Sequence, residues 1–347
     1  MVTTTMSPRD IGRLRIFLTI VGVSSAIGAV YGFSGSGWPG LGRGAVTGLA
    51  IAALIAGIEI GFDEPIRRQV ARFPLSVLLA CRTLGYGLCI ALGSAVGELL
   101  FAPRQIDDLL LGMAGRDYVF SFAMALLLNV VLAISRLLGP GMLMRFLSGR
   151  YHRPRPEERI FLIIDLKGST AIAARIGNTE FLRLLDQYFV DLARALLDHG
   201  GEIYRYVGDA MIATWTVERG LRRADCLMAA LDARRLLTER APAYEKEFGL
   251  RPAVRAALHA GPVVSGEIGD IKREIVYLGD GLNLTAKLEA HGKATGADLI
   301  VSTDLLALLG PLPAGIAAAE LPPLDLGSGR QLGAAAITGP AVPPRRP

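Results

Sequence analysis

Hydrophobic and polar positions alternate with two different rhythms along the chain. Up to Leu138 the apolar residues come in long runs, roughly Ile16–Ser34, Ala45–Phe62, Ser76–Phe101 and Tyr118–Leu138. Each is close to the ~20 residues a helix needs to cross a bilayer. Beyond Arg159 the runs shorten. Ile160–Ile164 has the length and β-branched content of a buried strand, ending abruptly at Asp165 and the polar loop Lys167-Gly168-Ser169-Thr170. Phe181, Leu184, Leu185, Tyr188, Leu192 and Leu196 recur at helical spacing, with Asn178 as the expected N-cap and Gly200-Gly201 as the stop. Glu202–Trp215 reads as strand, two-residue Gly208-Asp209 turn, strand.

The remaining pattern predicts a long helix over Leu221–Phe248 and two strands, Arg251–His259 and Val263–Ile268, around Gly261-Pro262. A short strand at Ile275–Leu278, a helix over Asp280–His291 and a strand at Leu299–Ser302 follow. Leu324–Leu326 and Leu332–Ile337 close the pattern as a hairpin around Gly327–Arg330. Strand, helix, strand, strand, helix, strand is the split βαβ, ferredoxin-like order. The fold class expected is an N-terminal transmembrane α-helical bundle followed by an α+β ferredoxin-like domain. The expected divisions are 1–14 as a cytoplasmic N-terminus, 15–138 as a four-helix membrane domain, 139–158 as a short link, 159–338 as the α+β domain and 339–347 as a disordered tail. The link has no sustained heptads, so movement of the bundle would pass through it as a rigid-body shift.

Charge sharpens the membrane reading. A net charge of +5 with 51% hydrophobic residues fits a membrane protein better than a nucleic-acid binder, because many basic residues flank the apolar runs. Arg9, Arg13 and Arg15 precede the first run, Arg67, Arg68 and Arg72 lie between the second and third, and Arg136, Arg145, Arg150, Arg153, Arg155 and Arg159 end or follow the fourth. The other two connections carry only Arg43, and Arg104 and Arg116 beside Asp107, Asp108 and Asp117. Both termini are therefore expected on the cytoplasmic side of the cell (inner) membrane. The first run alone also resembles a signal peptide, but three further runs favour a multi-span protein. Glu59, Arg82 and Glu98 fall within or near the runs: they either reach the interface from span ends or form an intramembrane pair such as Arg82 with Glu59. Gly85, Gly87, Gly93 and Gly97 are expected to allow close helix packing. Cys81, Cys89 and Cys226 have no metal-ligand spacing, which argues for a reducing compartment.

In a ferredoxin-like topology the end of the first strand lies beside the hairpin joining the second and third. Asp165 and Asp209 would then meet, and two adjacent carboxylates repel unless a cation lies between them. A loop of backbone donors beside them makes a magnesium nucleotide the natural ligand. Asn283 and Lys287 sit at i and i+4 on one helix face.

Four segments carry a family resemblance: FLIIDLKGST at Phe161–Thr170, YRYVGDAMIA at Tyr204–Ala213, ALHAGPVVSGEIG at Ala257–Gly269 and VYLGDGLNLTAKLEA at Val276–Ala290. In this order and spacing they resemble the catalytic domain of class III adenylate and guanylate cyclases. The resemblance implies a head-to-tail homodimer that converts ATP to 3′,5′-cyclic AMP and pyrophosphate at interface sites. It implies that Asp165 and Asp209 hold two divalent ions, Mg²⁺ or Mn²⁺, and that Leu166, Lys167, Gly168, Ser169, Thr170 and Gly208 surround the triphosphate. Asn283 of the opposite copy would orient the ribose, and its Lys287 would stand where the family has a charge-stabilising arginine. Arg205 and Val276 occupy the purine-reading positions, and Arg330 the place of a basic residue near the phosphates. Arg330 reads equally well as a solvated turn residue, whereas His259, Cys226 and Trp215 read as structural. Three positions depart from the family: Arg205 for lysine, Val276 for a polar reader and Lys287 for arginine. They leave open a weakly active or silent nucleotide-binding module, or a cyclase with relaxed choice between ATP and GTP. The absence of a glutamate–cysteine reader pair favours ATP. A diguanylate cyclase is disfavoured, because the Gly208-Asp209 hairpin lacks a second glycine before it and an acidic residue after it.

Overall fold

The computed structural model describes residues 8–61, 73–101, 115–138, 149 and 151–339. The link over 139–148, the basic connection Arg67–Arg72, the Arg104–Asp108 connection and the tail over 340–347 lie outside the described residues, as do the side chains of Glu59 and Glu98. The chain forms two units, Arg9–Leu143 and Met144–Pro347.

The N-terminal unit contains α1 (Pro8–Gly61), α2 (Leu75–Phe101) and α3 (Gly115–Leu138). The first helix is broken at Gly37, whose φ of 66° leaves the helical region, with Pro39 just beyond. Its two legs fold back on each other: Gly28 meets Gly44, Gly32 meets Gly40, and Gly48 meets Ser24, backbone against backbone. Ser25 Oγ donates across the same seam to the Ala45 carbonyl at 3.0 Å. Small residues every fourth position permit this approach, as in membrane helix pairs. Gly93 and Gly97 of α2 pack on Ile51 and Thr47 as expected of them, but Gly85 and Gly87 face open space. Buried Asn129 of α3 donates to the Leu79 carbonyl at 3.3 Å and to Thr83 Oγ1 at 3.2 Å. By length and composition, Phe17–Ile58 and Val77–Phe101 suffice to cross a membrane, and the apolar part of α3, Phe122–Val131, is shorter.

The C-terminal unit is built on one eight-stranded sheet. Its elements are β1 (Arg155–Leu166), α4 (Ser169–Ile176), α5 (Asn178–Asp198), β2 (Glu202–Val207), β3 (Ala210–Thr216), α6 (Val217–Leu221), α7 (Asp225–Phe248), β4 (Val254–Ile268), β5 (Glu274–Leu278), α8 (Asp280–Thr295), β6 (Leu299–Ser302), α9 (Thr303–Leu309), β7 (Ala317–Gly327) and β8 (Arg330–Thr338). The order β2-β3-β1-β4 contains the ferredoxin-like core, extended through β6, β8 and β7, with β5 pairing on β4. Leu162, Leu192, Leu196, Met211, Trp215, Leu227 and Leu258 are buried in the core cluster shared by the sheet, α5 and α7.

Several boundaries differ from expectation. The first strand starts at Arg155, within the stretch assigned to the link, because Arg155–Glu158 pair with Ser265–Pro262 of β4. Gly261-Pro262 does not divide two strands: β4 runs through it, paired with β1 from Val254 to Ser265. On its other side β4 pairs only at 256–258 and 264–268, and Pro262 falls in the interval. A separate helix, α4, begins directly at Ser169, and Asn178 lies inside α5, whose N-cap is Gly177 without a side-chain cap. The helix expected over Leu221–Phe248 is interrupted at Arg223 and Ala224, both at positive φ. Trp215, His259 and Cys226 are buried, with Trp215 Nε1 donating to the His199 carbonyl at 3.1 Å and His259 Nδ1 2.8 Å from Ser302 Oγ.

One contact fixes where α8 begins. A Cβ on Gly281 would lie 2.8 Å from the Gly261 oxygen, and a Cβ on Gly261 would lie 3.0 Å from the Gly281 Cα. The first turn of α8 thus rests directly on the backbone of β4. Alanine at 281 would gain about 1 kcal/mol in helix propensity, but neither backbone can rotate away, so overpacking dominates. Gly281→Ala should lower stability by about 1–3 kcal/mol in denaturant unfolding. A net stabilisation would contradict the contact.

Candidate active site

Asp165 and Asp209 are brought together by the β1–β3 ladder. The pairing runs from Arg159–Thr216 to Ile164–Met211, so Asp165 leaves the ladder just where the β2–β3 turn begins. Gly208 takes φ 59° in that turn, a conformation that suits glycine. Both carboxylates are half-buried. Burial first, then the Asp209 charge and a side-chain hydrogen bond to Asp209, push the Asp165 carboxyl up to about 6, with Glu289 adding to the effect and the Leu166 N–H opposing it. Asp209 Oδ2 is buried without a hydrogen-bond partner. Behind the pair, Tyr188 of α5 is fully buried and its hydroxyl also has no hydrogen-bond partner.

An open pocket adjoins Asp165. It is lined by Asp165, the Leu166–Thr170 segment, Arg255 and Lys293. The segment is not uniform in what it offers a ligand. The Leu166 N–H serves Asp165, and the Lys167 N–H donates to the Ala253 carbonyl at 2.8 Å. Lys167 Nζ is bonded to Asp298, which also pairs with Arg234 at 3.5 Å. The donors left for an anion are those at the start of α4, where Ser169 and Thr170 lack intrahelical acceptors. Gly168, at φ 69°, makes the turn into that helix.

The other expected residues lie elsewhere. Asn283 and Lys287 are both exposed on α8, and neither lines the Asp165 pocket. Arg330 is exposed and pairs with Asp280, at the start of α8, at 3.6 Å. Arg205 is bonded to Glu274 and lies 5.3 Å over the Tyr204 ring. Lys272, and then Arg205, hold the Glu274 carboxyl below the usual range. Val276 is buried in β5, on the same strand face as Glu274. Sequence reasoning missed Arg255 and Lys293. Arg255 stands directly across β4 from Asp165 and pairs with Glu289 at 3.6 Å. Only the strand register, which the sequence does not state, could have found it.

Among the described residues, no group of three or more His, Cys, Asp and Glu side chains is arranged to hold a metal. The Asp165–Asp209 pair nevertheless fits a divalent cation: it offers hard oxygen donors, one of them orphaned, with no protein cation bonded to either carboxylate among the described ion pairs. Magnesium is commonly held by one or two carboxylates, with substrate phosphates and water completing the shell.

The pair has a pH signature. The folded Asp165 carboxyl keeps its proton up to about 6, against a reference value of 3.8. Its contribution to stability is therefore complete below about pH 4 and is lost as pH rises through about 6. Without divalent cation, thermal stability should fall across that window, and Asp209→Asn should shrink the fall. Because protons compete with the cation, Mn²⁺ affinity should rise through the same window. A flat profile in both titrations would contradict the buried pair.

Comparison with known proteins identifies the family. Residues 154–311 match the family model described as the adenylate and guanylate cyclase catalytic domain. Adenylate cyclase 2 of Rhizobium meliloti is 32% identical over 313 residues, covering 87% of this chain and 85% of that protein. An adenylate cyclase of Anabaena cylindrica is 27% identical over 149 residues, 42% of this chain but only 29% of that protein. A bacterial light-regulated adenylyl cyclase shares the fold, with a TM-score of 0.53 at 19% identity over 63% of this chain and 64% of that one. The chain belongs to the class III adenylate and guanylate cyclase family.

Proposed function

We propose that the protein is a membrane-anchored adenylate cyclase that acts as a homodimer and converts ATP to 3′,5′-cyclic AMP and pyrophosphate. The observation that carries this reading is the Asp165–Asp209 pair, with its orphaned oxygen, beside the donors that open α4. The name of the Rhizobium meliloti relative supports ATP as substrate. The long apolar helices support the anchor.

In the proposed reaction the ribose 3′-oxygen attacks the α-phosphorus, the bond to the bridging oxygen breaks, and pyrophosphate leaves. Asp165 and Asp209 would hold two divalent ions, which when bound supply activation of the 3′-oxygen and neutralisation of phosphate charge. The Ser169 and Thr170 N–H groups and the Arg255 guanidinium face the triphosphate. Asn283 and Lys287 are exposed and outside this pocket, so the reading takes them from the opposite copy to orient the ribose and meet the developing charge. Positioning and electrostatics then carry the catalysis, with no covalent intermediate. Lys287 keeps the charge of the family's arginine but presents no bidentate fork, so turnover should be modest.

The full chain in detergent, given ATP and Mn²⁺, should release cyclic AMP, with GTP assayed alongside. A dimeric preparation yielding no cyclic nucleotide would refute the reading. Asp209→Ala and Asn283→Ala should each lower turnover by on the order of 10²-fold or more. Co-expressed, the two variants should regain roughly a quarter of wild-type activity, because each mixed dimer retains one intact site. Absence of this recovery would place the two residues in one chain's site.

A further inference from the structure

The helix α8 presents three faces. Gly281, Thr285, Leu288 and Gly292 are buried against the sheet. Asn283 and Lys287 are exposed. Glu289 and Lys293, one turn apart, form the third face: Glu289 pairs with Arg255 at 3.6 Å and acts on Asp165 electrostatically, and Lys293 lines the Asp165 pocket. At 100° per residue, Lys293 is rotated by about 240° from Lys287 and lies about 9 Å further along the axis. The two lysines of one helix therefore point into different surroundings.

Lys293 also differs from the other cations at the pocket. Lys167 is bonded to Asp298, and Arg255 is paired with Glu289. Among the described residues no carboxylate pairs with Lys293, whose side chain is exposed at the pocket rim. An uncommitted ammonium beside the α4 donors is suited to a multiply charged phosphate group. It gains a charge-assisted bond without first breaking an ion pair.

We propose that Lys293 binds the terminal phosphates of the nucleotide held at Asp165 of its own chain, and stabilises the departing pyrophosphate. This rests on the cyclase reading above. One helix then serves two sites: Lys293 its own, and Asn283 with Lys287 the partner's. Lys293 is thereby an additional phosphate-binding residue, acting in cis where Lys287 acts in trans.

The test is calorimetric titration of the full chain with inorganic pyrophosphate in the presence of Mn²⁺, which needs no turnover. Lys293→Gln should weaken pyrophosphate binding by about tenfold to a hundredfold, while Lys293→Arg should retain most of it. Mn²⁺ binding without pyrophosphate should be no weaker in either variant, which guards against misfolding. Equal pyrophosphate affinity in wild type and Lys293→Gln would overturn the proposal, as would wild type that binds no pyrophosphate. Cyclic AMP production by the wild type is read separately, so failure of the cyclase reading is distinguishable from failure of this one. In the mixed dimer of Asp209→Ala and Asn283→Ala chains, Lys293→Gln should raise the KM for ATP only when carried by the Asn283→Ala chain, the one that retains both aspartates. An effect confined to the other chain would overturn the assignment in cis.

Discussion

Two carboxylates held side by side, with too little positive charge between them, are the constraint on which the rest of this site depends. The β1–β3 ladder fixes Asp165 at the end of one strand and Asp209 in the adjoining turn, so the pair cannot relax by moving apart. Burial and mutual repulsion appear instead as the raised Asp165 carboxyl and the orphaned Asp209 oxygen. A fold that needed only a turn here would be more stable with an uncharged residue at either position. The strain is released by a proton at low pH or by a divalent cation, and only the cation also recruits a phosphate.

The second constraint is steric. Gly261 and Gly281 bring α8 onto the backbone of β4, and that contact sets the rotation of the helix. With Gly281, Thr285, Leu288 and Gly292 turned inward, helical geometry leaves Asn283 and Lys287 facing outward and Glu289 with Lys293 facing Asp165. On the proposed reading a single chain therefore carries two incomplete constellations, one around Asp165 and one on the outer face of α8. On the proposed reading, the head-to-tail dimer joins them.

Much of this was legible in the sequence. The apolar run Ile160–Ile164, the Gly208-Asp209 turn and the four-residue spacing of Asn283 and Lys287 are local signals, and each lies where the pattern placed it. What was not legible depended on partners distant in sequence. Gly261-Pro262 resembles a turn in isolation, but β1 pairs with β4 from Val254 to Ser265 and leaves Pro262 where the opposite edge has no neighbour. Arg255 and Lys293 carry no motif; a register and a helix rotation bring them to the pocket. The glycines of α1 are likewise silent in the sequence, because their significance lies in the pairing of Gly28 with Gly44 and Gly32 with Gly40 across a hairpin.

On the proposed reading, base recognition is where the departures from the family have the largest physical consequence. Val276 is buried and has no side-chain donor or acceptor, so it can contribute shape to a purine pocket but no hydrogen-bond readout. Arg205 supplies donors, but Glu274 already takes part of that guanidinium, and Lys272 shares the same carboxylate at 2.5 Å. A donor-only side chain can address N1 of adenine or O6 of guanine, and so discriminates little between them by itself. A hydrogen-bonding site rejects a wrong partner strongly only when its own buried polar groups would be left unpaired. On the proposed reading one reader is apolar and the other is partly engaged by Glu274 before any nucleotide arrives. On the proposed reading, preference for ATP must then come from pocket shape and stacking, which discriminate less sharply than a buried polar pair.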